Sequence, residues 1–214
     1  MVDYILSSLT HGIIDLVPGV PKTFADLLVQ NSTVNYAEGN YGKLVLQQVE
    51  LNGFSIHYNI YYIQTRFLLH ANCNVPGLMI NIALKNDIQY HLNGIGNVDL
   101  KEGQFNVFYL PAVDGTALFE QAGEYRVFKV YLPAAILREY AATFPYVNEF
   151  LQQVTGSFPA LLLKEHGWIN SEISYIVNQL LQCTYDEAVR RLYYDSLVKE
   201  LLLLLLLQKN RDSI

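Results

Sequence analysis

The chain has 214 residues, 51% hydrophobic and 16% charged, with 13 Gly and 7 Pro, which excludes a disordered or low-complexity polypeptide and predicts a packed core in one large domain or a domain with an appendage. A net charge of -6, with neither half basic, argues against direct nucleic-acid binding by these residues. Cys73 and Cys183 stand far apart outside any CxxC, the N-terminus lacks the basic start of a signal peptide, and the longest apolar run is seven residues against about 20 for a bilayer span. A cytoplasmic protein with no membrane partner is expected.

Residues 1–40 are punctuated by Pro18, Gly19 and Pro21 and read as irregular, an N-terminal arm, with EGNYG at 38–42 as a turn. From Lys43 to Leu132 the pattern is β. Phe54, Ile56, Tyr58, Ile60 and Tyr62 alternate with Ser55, His57, Asn59 and Tyr61, and further strand-like runs cover 43–51, 77–85, 88–92, 104–110, 116–121 and 125–132. Turn signals separate them at Asn52-Gly53, Pro76-Gly77, Asn93-Gly94, Glu102-Gly103 and Asp114-Gly115. Short strands at this spacing predict an antiparallel sandwich or barrel.

After Leu132 the period turns helical. Pro133 opens a helix with Ile136, Leu137, Tyr140, Ala141 and Phe144 on one stripe, and Pro145 stops it. Residues 146–169 are mixed, with room for a short helix. Asn170 caps the next helix, whose apolar stripe is Ile173, Ile176, Val177, Leu180 and Leu181. Thr184 and Glu187 form a capping box that starts the last helix. The order is α+β: 1–133 as arm and barrel, 134–214 as a helical region.

The last helix ends in seven consecutive leucines, Leu201 to Leu207. On a 3.6-residue wheel Ala188, Val189, Leu192, Tyr193 and Ser196 share one side, continued by Leu203 and Leu207, and this side is expected to lie on the barrel. Leu201, Leu202 and Leu205 then fall on the opposite side and need a second surface. Tyr194, Val198, Leu201 and Leu205 lie on a heptad seam. Tyr194, Val198, Leu201, Leu202 and Leu205 are therefore the expected interface of a two-fold homodimer through this helix. Burial by other parts of the same chain is the alternative.

Five histidines occur, but no H-x-H pair, and no carboxylate follows His57 or His70 closely; each reads as a hydrogen-bonded structural residue more readily than as a metal ligand. No nucleophile elbow, phosphate loop or dinucleotide fingerprint is present, and Gly94-Ile95-Gly96 is a turn. No catalytic residue or cofactor is assigned. The aromatic β region could enclose a small organic ligand, and Tyr58, Tyr62, Arg66, His70 and Tyr90 are the candidate contacts, against the plainer reading that these rings fill the core.

Residues 179–208, QLLQCTYDEAVRRLYYDSLVKELLLLLLLQ, resemble the linker helix of AraC-type bacterial transcription regulators, in the branch of the pyochelin regulator. Cys183, Tyr185, Arg190 or Arg191, Leu192, Tyr193, Lys199, Glu200, Leu201 and Leu202 carry the match, with Thr184 where that branch has Pro and Glu187 where it has Gly. EGQFNVFYLPA (102–112) and VYLPAAILREYAATFP (130–145) add to it. The resemblance implies a cupin-like jelly-roll effector and dimerisation domain, DNA contact only through a helix-turn-helix domain absent from these residues, and an arm, here residues 1–22, that closes over effector. A non-enzymatic sensor module is the expected function; a stand-alone cupin enzyme using metal at His57, His70 or His91, or a ligand carrier, are the rivals.

Overall fold

The computed structural model describes residues 5–51 and 53–211, with side chains through residue 208. Asn52, half of one expected turn, the first four residues of the expected arm and the last three residues of the chain lie outside them. In chain order the elements are β1 (Ile5–Ser8), β2 (Gly12–Ile13), β3 (Val17–Pro18), a 3-10 helix (Lys22–Leu27), β4 (Thr33–Gly39), β5 (Gly42–Leu51), β6 (Phe54–Ile63), β7 (Phe67–Cys73), β8 (Gly77–Lys85), β9 (Ile88–Leu92), β10 (Gly96–Leu100), β11 (Gln104–Leu110), β12 (Val113–Phe119) and β13 (Gly123–Tyr131). Then follow α1 (Ala134–Arg138), α2 (Pro145–Thr155), β14 (Ala160–Leu161), β15 (Gly167–Trp168), α3 (Ser171–Leu181) and α4 (Glu187–Arg211).

The strands form two antiparallel sheets facing each other, the cupin-like jelly roll of an α+β domain. One sheet runs β10-β9-β12-β7-β1-β2 and the larger runs β14-β11-β8-β13-β6-β5-β4-β3, with β15 also on β11. The layers follow from side-chain parity. On the larger sheet Leu44, Tyr61, Met79, Phe108 and Val127 face the smaller sheet, while Ile56, Ile60, Ile80, Ile82, Phe105 and Phe128 face the helices. Strands buried on both faces read as near-continuous apolar runs, as in GLMINIALK at 77–85. The order of layers is small sheet, large sheet, helices.

Several expectations change. Residues 5–39 are not irregular: β1 pairs with β7 and β4 with β5, so this segment is woven into both sheets. β7 and β10 were hidden because their outward positions carry His70, Asn72, Asn97 and Asp99. Pro145 does not end a helix but begins α2, where its missing N–H is harmless. Asn170 caps α3 as expected, accepting from the Ile173 N–H at 2.9 Å. Thr184 does not cap α4: Asp186 does, accepting from the Val189 N–H at 3.1 Å.

The largest correction concerns α4. Tyr194, Val198, Leu201, Leu202 and Leu205, expected at a dimer interface, are each at most 1% exposed and sit in the core between the large sheet and the helices. The two apolar faces exist, but in the reverse order. The outward face is the one expected to lie on the barrel, with Val189, Leu192, Leu203 and Leu207 exposed. Hydrogen bonding explains the choice. Buried Tyr194 donates its hydroxyl to the Leu180 carbonyl at 2.9 Å, closing the end of α3. Tyr140 and Tyr146 donate to the carbonyls of Lys199 and Leu206 at 3.0 and 2.7 Å. These pin the helix with its Tyr194–Leu201–Leu205 side inward.

Candidate functional site

The two sheets enclose a cavity of about 350 Å³, lined mostly by apolar side chains including Leu69, Met79, Ile88, Phe108 and Phe119. That is within the range of small-molecule sites. Its polar wall is built by strand register. Gln48 of β5 pairs with His57 of β6, His57 with Lys129 of β13, and Lys129 with Asn81 of β8. Directly opposed residues project to the same side of a sheet, so these four form one polar row across four strands, and all four line the cavity. Asn106 of β11 extends the row beyond Asn81 but is engaged elsewhere: its amide donates to the Leu163 carbonyl and accepts from the Leu163 N–H, at 2.9 and 3.1 Å. Asn59 and Tyr131 add polar atoms two residues away on either side of the row.

The electrostatics are those of a desolvated site. Burial, then the nearby Lys129 charge, pushes the His57 imidazole down to about 3, so it is neutral at pH 7. Its Nε2 lies 2.9 Å from the Ser55 hydroxyl, and its ring packs on Tyr131 with centroids 4.7 Å apart. Burial pushes Lys129 down to about 8. Lys129 is half-buried and lines the cavity. Burial raises Tyr90 to about 12, with a hydrogen bond from Asn81 opposing the shift. The Oδ1 of Asn81, a residue only 3% exposed, has no hydrogen-bond partner.

Of the five expected contacts, only Tyr90 lines the cavity. Tyr58 and Tyr62 project from the other face of β6, where Tyr62 packs on Phe24 at 5.5 Å. The parity of β6 is opposite to that expected: its aromatic positions cover the helix-side core and its polar positions, His57 and Asn59, face the cavity with Tyr61. Arg66 lies in the β6–β7 turn, exposed and 3.1 Å from Glu120. His70 points outward from β7 and meets Asp114 at 2.9 Å. Gln48, His57, Asn59, Asn81 and Lys129 were missed. For Asn81 a signal was present, a polar residue in the middle of the apolar run GLMINIA; the others lie in strands that carry several polar residues, such as Arg126 beside Lys129 in YRVFKVYL.

The histidines named for the metal-enzyme alternative are dispersed, His57 in the cavity, His70 on Asp114 and His91 on Asn97. Among the described residues no three His, Cys, Asp or Glu side chains cluster as a metal site. Cys73 and Cys183 are both buried and unpaired.

The family described as regulatory protein PchR N-terminal domain matches residues 41–213. This chain belongs to that family. The match covers β5 to β13, most of the cavity lining and all four α-helices. No curated protein matches the chain. Among solved structures, the AraC-like transcriptional activator CuxR is similar, with 8% identity and a TM-score of 0.46, covering 90% of this chain and 69% of its own. An RmlC-like cupin with a double-stranded β-helix fold from Methanocaldococcus jannaschii is 15% identical, with a TM-score of 0.31, covering 57% and 94%. Ectoine synthase from P. lautus is 13% identical, with a TM-score of 0.29, covering 42% and 64%. No described helix is long and apolar enough to cross a membrane.

Proposed function

We propose that the domain senses a small organic effector held between its two sheets and passes the occupancy signal through α4 to a DNA-binding domain outside these residues. The observation that carries this reading is the largely apolar cavity between the sheets with one polar row, in a chain of a regulatory family. The large sheet is the shared wall. Its inner face lines the cavity and its outer face belongs to the same apolar core as the inward side of α4, so a shift of the sheet would reach the helix through that core. The effector must bind two states of the domain unequally, with a coupling of about 1–3 kcal/mol.

Homodimerisation belongs to the same proposal, with the interface moved. Val189, Leu192, Leu203 and Leu207 recur along the outward face of α4 and supply the apolar strip that Leu201 and Leu205 were expected to supply. Native mass spectrometry of the purified protein tests both parts at once. A two-subunit species retaining a small organic ligand is expected; a monomer that takes up no ligand from a panel of organic acids, amides and aromatics would reject the reading.

A further inference from the structure

The chemistry of the cavity wall narrows the ligand class, on the reading that the cavity is the effector site. Among the described residues, Lys129 is the only Lys, Arg, Asp or Glu that lines the cavity. Among the described residues no carboxylate lies within ion-pair distance of it, although Lys43, Lys85, Lys101 and Lys199 all have one. Its cross-strand neighbours are neutral: His57 on one side and Asn81 on the other. A half-buried ammonium facing a largely apolar cavity with no counter-ion is destabilising, and such a group is rarely kept without a partner.

The second observation is independent of the charge. Asn81 stands beside Lys129 in the same row, almost fully buried, with its Oδ1 unpartnered. A buried acceptor with no donor is unfavourable until something enters to satisfy it. Cation and orphaned acceptor are therefore adjacent on one wall, and Met79, Phe108 and Phe119 supply an apolar surface for the rest of a guest.

We propose that the cavity binds an organic monocarboxylate, its acid group on Lys129 with a hydrogen-bond donor near Asn81, and its hydrocarbon or aromatic body against Met79, Phe108 and Phe119. A phosphate is disfavoured. It would bring about two negative charges to a single cation, with no arginine fork to receive it. Size follows from volume: about 350 Å³ at about 30 Å³ per water-sized group holds a guest of about a dozen non-hydrogen atoms.

The test uses decanoate and methyl nonanoate, equal in heavy-atom count, both without hydrogen-bond donors and differing in charge, titrated calorimetrically at pH 7 into the wild type and into Lys129→Met. The wild type is expected to bind decanoate at least tenfold more tightly than the ester. Lys129→Met is expected to lose that preference while still binding the ester, since Met keeps the apolar stem. Equal or tighter binding of the ester by the wild type overturns the proposal, and this comparison needs no variant. A preference that survives in folded Lys129→Met also overturns it. So does binding of neither probe; a neutral molecule retained through purification would then leave the sensor reading standing while removing the carboxylate.

Discussion

The unpaired ammonium of Lys129 makes a prediction about stability that needs no ligand. Burial moves it from 10.5 to about 8, which corresponds to about 3 kcal/mol against the charged form at pH 7. Lys129→Met removes the charge, retains a stem of similar length, and leaves no acid unpaired, because none is paired now. The variant should be more stable than wild type by about 2–3 kcal/mol at pH 7, raising Tm by about 4–12 °C for a chain of this length. The sign with pH is fixed. Between pH 8 and 10.5 the unfolded chain holds more protons at this site than the folded chain, so wild-type stability rises with pH there. By pH 9.5 about 2 kcal/mol of the difference should have closed. Tyr146 and Tyr194, raised by burial, act in the opposite sense at higher pH but are common to both proteins. Urea titrations of both at pH 7 and 9.5 measure the gap. A gap that does not change with pH, or a less stable variant at pH 7, refutes the placement of Lys129 as an uncompensated charge.

Three further outcomes follow from named contacts. Leu201→Glu with Leu205→Glu should prevent folding, because both positions are in the core, where unpaired carboxylates are not tolerated; Leu192→Glu with Leu203→Glu should give a folded protein with weakened self-association, and circular dichroism with sedimentation velocity separates the two pairs. Gly42→Ala should destabilise by about 3 kcal/mol or more in thermal melts, since Gly42 holds φ at 123° and an added Cβ would lie 1.8 Å from the Tyr62 carbonyl oxygen. For His57, held down to about 3 in the folded state, the unfolded chain protonates first as pH falls below 6.5, so stability is lost progressively towards pH 3 and by about 3 kcal/mol at pH 4; the stability gap to His57→Gln should change by that amount between pH 7 and pH 4 in denaturant titrations, and an unchanged gap would place His57 in contact with water.

Much of the sheet was legible because glycine turns punctuate it. The strands expected at 77–85, 88–92 and 104–110 have those bounds, whereas Asp114-Gly115, expected as a turn, lies inside β12 and pairs with β7. Facing was not legible. A strand of period two has only two settings, and β6 is rich in aromatics at both parities. Tyr58 and Tyr62 were placed inside because aromatic rings suit a ligand, yet the same rings suit the helix-side core, and the helices decide. The same ambiguity reversed α4. Seven leucines in succession satisfy both faces equally, so local pattern carries no information about which side is inward. Tyr140, Tyr146 and Tyr194 break the tie through hydrogen bonds to carbonyls at least 14 residues away in sequence, which no periodicity displays.

The two reversals share one cause and meet in one place. In a three-layer domain the middle sheet is buried on both sides, and its residues must be sorted between a ligand cavity and a packed helical core. β13 shows how closely the two lie. Lys129 faces the cavity, while Phe128 and Val130, its immediate neighbours, are fully buried against the helices. The backbone bearing Lys129 is thus backed by the same apolar core that contains Leu201 and Leu205. On the proposed reading, an anion that neutralises Lys129 removes a destabilising term from this strand and so stabilises the arrangement that binds it, by mass action. Close packing leaves the helix layer little slack to absorb a displacement of β13, so α4 is the element such a change would reach, and Val189, Leu192, Leu203 and Leu207 are the side chains through which it would be read outside the domain.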